Sequence, residues 1–361
     1  MIQRTVPKEF DDLVQVQADH QDRLLDKSNV VGVAIGNKVT GDEVTDERSI
    51  TVLVDTKFDA SLLGDEDMVP DVLDGVPTDV QEVGVIQAGG PAMTMNRDIH
   101  LGELDISAPR RAETNGAELT HPTEEAPLAE QITPFFLKTR MRPAMGGFSC
   151  GHYKVTAGTI ATGCYDRRYM PGIPQAYYLL SNNHVLANSN NANIGDPVVQ
   201  PGIFDGGTVA SDTIGRLARF VPLKYKTATT TPLNYVDAAI AQVDFHNLNR
   251  EIYWIGYVKK LYVAPTLGQI VQKTGRTTNF TTGKVTNINA TVDVNYGSGR
   301  VARFARQILT TNMSAPGDSG SLVTNLEEQG VGLLFAGSSE VTVINHLHYV
   351  QSLLGVRVTE T

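Results

Sequence analysis

Cysteine is scarce: the 361 residues contain two, Cys150 and Cys164, and neither has a second ligand at a zinc-like spacing. Two reduced, buried thiols are expected in a cytosolic chain. A bridge stays geometrically open if both lie on paired strands of one hairpin. No apolar run approaches the roughly 20 residues that span a bilayer, so no membrane helix is expected. The start, Met-Ile-Gln-Arg-Thr-Val-Pro-Lys, lacks the basic-then-apolar pattern of a secretory signal, and a cytoplasmic location is the expectation. Positive charge is in deficit: 30 Lys and Arg against 40 Asp and Glu give a net charge of -10. An acidic chain repels phosphate backbones, which argues against nucleic acid as a partner.

Several local features carry little. His346 and His348 lie two apart with no acidic or cysteine cluster beside them, so they do not read as metal ligands. Asp65-Glu66-Asp67, with Asp71 and Asp74, does not match a calcium-loop spacing and reads as a solvated acidic loop. Lys273-Thr274-Gly275-Arg276-Thr277-Thr278 has the wrong glycine spacing for a phosphate loop and reads as a strand followed by a turn. Arg140 and Arg142 read as solvated basic residues at a domain edge rather than a processing site.

Hydrophobic residues make up 41% of the chain, enough for a sizeable core. Three regions differ in pattern. Residues 1–88 read as a small α+β unit. Phe10, Leu13, Val14, Leu24 and Leu25 share one face of a helix. Val30 to Ile35 and Ile50 to Val54 read as paired strands, with Gly36-Asn37 and Gly41-Asp42 as turns. A third short strand is expected around Val80 to Val85. Residues 89–133 are polar and weakly periodic, and read as a linker or loosely packed arm. Residues 134–361 alternate short runs of Val, Ile, Thr and Tyr with Gly, Asn and Pro turns. Many short strands in that length fit two antiparallel barrels, hence a mainly β fold class. Asn345 to Leu354 has the spacing of a closing helix.

Three segments bear chemistry. Gly317-Asp318-Ser319-Gly320 places a serine in a tight turn, whose amides at Gly317 and Ser319 are candidate donors to one spot. A serine hydroxyl is a weak nucleophile and needs a base within hydrogen-bond reach. His184, in Leu-Ser-Asn-Asn-His-Val after a short apolar strand, is the candidate base. Asp237 precedes the apolar Ala238-Ala239-Ile240-Ala241, where a carboxylate is costly unless paired. Pairing with the second nitrogen of His184 would orient the ring. Each segment alone also reads as an ordinary turn, a packed histidine or a strand cap. The order His, Asp, Ser in one chain favours a nucleophilic triad acting on protein or peptide, with no metal and no cofactor called for.

At these residues the chain resembles the chymotrypsin-like (trypsin-fold) serine proteases over roughly residues 140–356. It is more closely similar to the Narrow leaf type of plant and bacterial trypsin-like proteases. The matching stretches are Arg-Pro-Ala-Met-Gly-Gly-Phe-Ser, Leu-Ser-Asn-Asn-His-Val-Leu-Ala, Lys-Thr-Gly-Arg-Thr-Thr and Gly-Asp-Ser-Gly-Ser-Leu-Val. Val-Gly-Val-Ala-Ile-Gly extends the likeness into residues 1–88. The resemblance implies a double antiparallel β-barrel with the site between barrels. It implies His184, Asp237 and Ser319 as the triad of a serine endopeptidase, with the amides of Gly317 and Ser319 as oxyanion hole. A latent or inactive protease-like scaffold is the competing expectation. No Ile-Val-Gly-Gly segment is present to order the oxyanion loop through a new amino terminus, so either Asp318 needs another partner or the loop is ordered without cleavage. Met313 stands where trypsin carries its charged specificity residue, and Phe335-Ala336-Gly337 replaces Ser-Trp-Gly as the substrate-pairing strand. Met313, Phe335, Ala336 and Gly337 are therefore the expected substrate-binding residues, with an apolar or small side chain before the cut. The absence of histidine on that strand argues against a glutamate pocket. Edge strands in the N-terminal unit are expected to support a homo-oligomer.

Overall fold

The computed structural model describes residues 4–41, 43–89, 136–167 and 176–359. Nearly all of the linker expected at 89–133 lies outside these residues. The chain is mainly β, built on two large sheets and a small helix-and-strand region at its N-terminal end.

The first large sheet has eight strands and takes its middle from Tyr177–Ser181, Ala239–Val243 and Thr213–Phe220. The alternation along Ala239–Val243 explains its position. Ala239, Ala241 and Val243 point into one core with Phe148, Leu179 and Leu217. Ala238 and Ile240 point into a second core with Leu180, Leu322, Leu333, Leu347 and Val350. Both faces are covered, so a near-continuous apolar run is stable there. The helix Leu347–Leu354 supplies Leu347, Val350 and Leu354 to that second core, which joins the two halves of the molecule.

The other sheet has twelve strands and includes the N-terminal region. Val30–Thr40 pairs antiparallel with Glu43–Val54 on one side and with Asn279–Asn295 on the other. Val76–Glu82 then adds parallel to Glu43–Val54, with Val52 opposite Val80. The helix Asp11–Leu25 covers this surface with Leu24 and Leu25, and one continuous core contains both of them together with Val271, Val285, Ile308 and Val323. Buried Gln17 staples helix to sheet: its Nε2 donates to Val33 O at 3.1 Å and to Asn289 O at 2.9 Å. Residues 4–88 thus share both sheet and core with residues 270–346, rather than forming a sheet of their own.

Two local expectations change. Gly36-Asn37 is not a turn but lies within the strand Val30–Thr40. Gly36 is there for close approach, since a Cβ at that position would come within 2.5 Å of Asn287 Nδ2 and 2.7 Å of Thr51 Oγ1. The third strand runs over Val76–Glu82, earlier than Val80 to Val85. Both cysteines are free and buried, and burial pushes both thiols well above their ordinary range.

His346, at the end of the strand Val341–His346, is 2% exposed, and its Nδ1 has no hydrogen-bond partner. Burial, helped by His348 and Arg306, pulls its pKa down to about 3. An unfolded histidine titrates near ~6.5. The unfolded chain therefore binds a proton below about pH 6.5 that the folded chain refuses until far lower pH, and stability is lost as pH falls through that window. Calorimetric melting should show a falling Tm from pH 6.5 to 4.5, at up to about 1.4 kcal/mol per pH unit. In His346→Gln the slope should be visibly flatter; an unchanged slope would place the acid sensitivity elsewhere.

Candidate active site

His184 lies in the one-turn helix Asn183–Leu186, directly after the strand Tyr177–Ser181. That strand pairs with Ala239–Val243, Ser181 opposite Ala239, which brings Asp237 beside the histidine. His184 Nδ1 donates to Asp237 Oδ2 at 2.7 Å, and the His184 amide donates to Oδ1 at 3.2 Å. The Asp237 carboxylate is wholly buried. A third donor, the Tyr296 hydroxyl, reaches Oδ2 at 2.6 Å. Burial, and then the charge of Asp237, hold the Tyr296 hydroxyl well above its usual pKa, so it stays a donor. The backbone of Asp237 is pinned too: its amide donates to Asn345 Oδ1 at 2.8 Å, and its carbonyl accepts from Asn182 Nδ2 at 2.7 Å. Three donors satisfy the oxygens of this dry carboxylate and hold the His184 ring with Nδ1 toward it. Nε2 of His184 is buried and has no partner among the described residues, which leaves it as the available base.

Ser319 arrives from the other sheet, on the turn before Leu322–Asn325. Its Oγ contacts Phe335 O at 3.5 Å rather than His184. A long contact of this kind is common before substrate binds, and a rotation about χ1 is the movement that would redirect the hydroxyl. The turn demands glycine on both sides. Gly317 and Gly320 have φ of 98° and 96°. A Cβ on Gly320 would also strike Ser181 Oγ and the Thr159 carbonyl. The Pro316 carbonyl is held by Thr277 Oγ1 at 2.8 Å. Across a trans peptide the Gly317 N–H then points the opposite way. Among the described residues, the amides of Gly317 and Ser319 donate to no other group, as an oxyanion hole requires.

Asp318 has the partner that sequence left open. Its carboxylate accepts from Lys273 Nζ at 3.2 Å, Thr278 Oγ1 at 2.6 Å, and the amides of Ala315, Thr277 and Thr278 at 3.0, 2.9 and 3.2 Å. Lys273 and Asp318 side chains are both fully buried. Burial pulls the Lys273 ammonium below its ordinary pKa while Asp318 opposes that shift. The turn carrying the serine is thus tied down by an internal lysine, with no new amino terminus needed.

A cavity of about 290 Å³ adjoins Ser319, lined by Ser314, Ala315, Pro316, Ala336 and Gly337 among others. Of the expected substrate contacts, Ala336 and Gly337 line this cavity. Phe335 is fully buried in the core, and it is its carbonyl that faces Ser319. Met313 is not at the cavity. It belongs to the core shared with the N-terminal helix, and its Sδ lies 2.6 Å from where a Gly283 Cβ would stand. Sequence reading also missed Tyr296, Asn345 and Lys273 as supports. Nothing local in the sequence ties any of the three to the site.

The N-terminal domain model of the NARROW LEAF 1 family matches residues 7–86. Serine protease 2 of Streptomyces fradiae is 43% identical over 74 residues, 20% of this chain and 33% of that protein. Glutamyl endopeptidase 2 of Streptomyces griseus is 50% identical over 54 residues, 15% of this chain and 26% of that one. The chain thus spans a third or less of the length of these relatives. Among solved structures, Protease A of Thermobifida fusca aligns over 60% of this chain and 97% of its own, at 14% identity and a TM-score of 0.42.

Proposed function

We propose that this chain is a serine endopeptidase that cuts peptide bonds through an acyl-enzyme. The observation that carries this reading is the His184–Asp237 pair, with Nδ1 occupied and Nε2 unpartnered, together with a serine turn whose Gly317 and Ser319 amides donate to no described group. In the forward step Ser319 Oγ attacks the substrate carbonyl carbon while His184 Nε2 takes the hydroxyl proton. The carbonyl oxygen becomes an oxyanion facing the amides of Gly317 and Ser319. Collapse breaks the C–N bond, and His184 returns the proton to the leaving amine. Water, deprotonated by His184, then attacks the ester, and Ser319 recovers its proton. The lining of Ala, Gly, Ser and Pro residues supports a small or apolar side chain before the cut. The glutamyl name belongs to the relative; no histidine lines this cavity among the described residues.

The test is labelling of the purified chain by a fluorophosphonate probe, which reports an ordered base and oxyanion hole together. The expected result is covalent labelling that disappears in Ser319→Ala. A folded chain that takes no label would favour the latent scaffold instead.

A further inference from the structure

An extended peptide can bind by adding as a strand to a free sheet edge, where main-chain hydrogen bonds hold it. Phe335, Ala336 and Gly337 end the strand Gly330–Gly337, whose other side is taken by Val341–His346. Their remaining edge is already occupied. The short strand Gln87–Ala88 pairs with it antiparallel, Ala88 opposite Ala336 and Gln87 opposite Gly337. The segment is also held on its far side: Gln87 pairs parallel with Asn295, and the Asn295 amide donates to Ile86 O at 2.9 Å. Val83 and Ile86 anchor it at 2% and 1% exposure, in a core with Leu53, Val292, Phe304 and Phe335. Val85, Gln87 and Gly89 line the cavity next to Ser319. A Cβ on Gly89 would lie 3.8 Å from His184 Nε2, so the segment ends against the catalytic ring.

We propose that residues 85–89 are a built-in competitor for the peptide-binding edge, and that an extended peptide substrate must displace them to be cut. This rests on the endopeptidase reading above. Gly89 is at φ +75°, outside the extended region. The extended pairing therefore stops at Ala88, so the segment occupies the edge without presenting an extended bond at Gly89. A tethered segment competes at an effective concentration of millimolar order. Substrate affinity is lowered by the fraction of chains with the edge free. The small space at Ser319 itself remains open to a compact probe.

The experiment compares the full chain with Ile86→Ala, which weakens the anchor, and Ala88→Pro, which disrupts pairing with Ala336. KM and kcat are measured on a pool of internally quenched octapeptides, with fluorophosphonate labelling in parallel. Both variants should lower KM by roughly tenfold with kcat changed less than about twofold. The heptapeptide of residues 83–89, added in trans, should inhibit Ile86→Ala competitively. An unchanged or raised KM in the folded variants would overturn the proposal and make the strand a fixed wall of the cleft. Should both variants fail to fold, hydrogen exchange on Ser319→Ala decides: residues 86–88 should lose protection when the peptide pool is added, and unaltered protection overturns the idea. Labelling with an unmoved KM sinks only this proposal, whereas no labelling and no hydrolysis in any chain sinks the endopeptidase reading and this one with it.

Discussion

Asp237→Asn should lower kcat on peptide substrates by about four orders of magnitude while leaving the fold intact. The carboxylate accepts from His184 Nδ1, the His184 amide and Tyr296, and donates to nothing. An asparagine keeps the shape but offers one acceptor oxygen and one amide nitrogen that must donate. With its oxygen toward the His184 amide, the new NH₂ faces Nδ1 and forces the ring proton onto Nε2. The ring then has no lone pair for the Ser319 proton, and the transition state loses its neighbouring charge. Stopped assays of kcat, with the fluorophosphonate labelling rate and a thermal melt, separate the outcomes. A loss below about tenfold in a well-folded variant would mean that Asp237 only shapes the strand end.

The three candidate residues stand out in the sequence because each sits in a short segment whose local pattern is itself unusual. A histidine after a buried strand, an aspartate before one, and a serine between glycines each raise a question that the other two answer. Their supports were not legible, because they come from distant sequence with no signal beyond their own residue type. Lys273 is the instructive case. The strand Ile270–Gly275 buries Val271, Lys273, Thr274 and Gly275, so its charge sits inside the fold. An ammonium on a buried face requires a counter-charge, and that requirement could have been drawn from the alternation; the identity of the partner could not.

The N-terminal region shows the same limit at the level of the fold. The continuous apolar run Val30–Ile35 reports burial on both faces but not which strand lies alongside, and Asn279–Asn295 is far away in sequence. A separate small sheet and a continuation of the larger one therefore look alike in sequence. Gly36 was misread for a related reason: glycine marks turns and close approaches equally, and only the neighbours Asn287 and Thr51 decide between them. Met313 is assigned to the substrate site through its spacing in the family resemblance, six residues before Ser319. Counting along a loop fixes distance and not direction, and here the side chain turns toward Gly283 and the core.

Lys273→Met should cost about 3–5 kcal/mol of stability, because it leaves the buried Asp318 carboxylate without its ammonium. It should also cut the labelling rate of Ser319 by roughly 100- to 1,000-fold, the scale associated with losing an oxyanion donor. The two effects share a cause. Asp318 lies between Gly317 and Ser319, whose amides are the proposed oxyanion donors, and its carboxylate holds Ala315, Thr277 and Thr278 around the turn. Without the lysine, the buried carboxylate loses its counter-charge and draws in water, which releases the backbone that carries Gly317 and Ser319. The double variant Lys273→Met/Asp318→Asn separates stability from catalysis. Removing the orphaned charge should recover much of the stability, since a buried pair replaced as a whole costs far less than one broken. Activity should stay low, because an amide cannot accept from both sets of donors that fix the turn. Recovery of both together would mean that the ion pair serves folding alone and that the oxyanion geometry is set by the glycines.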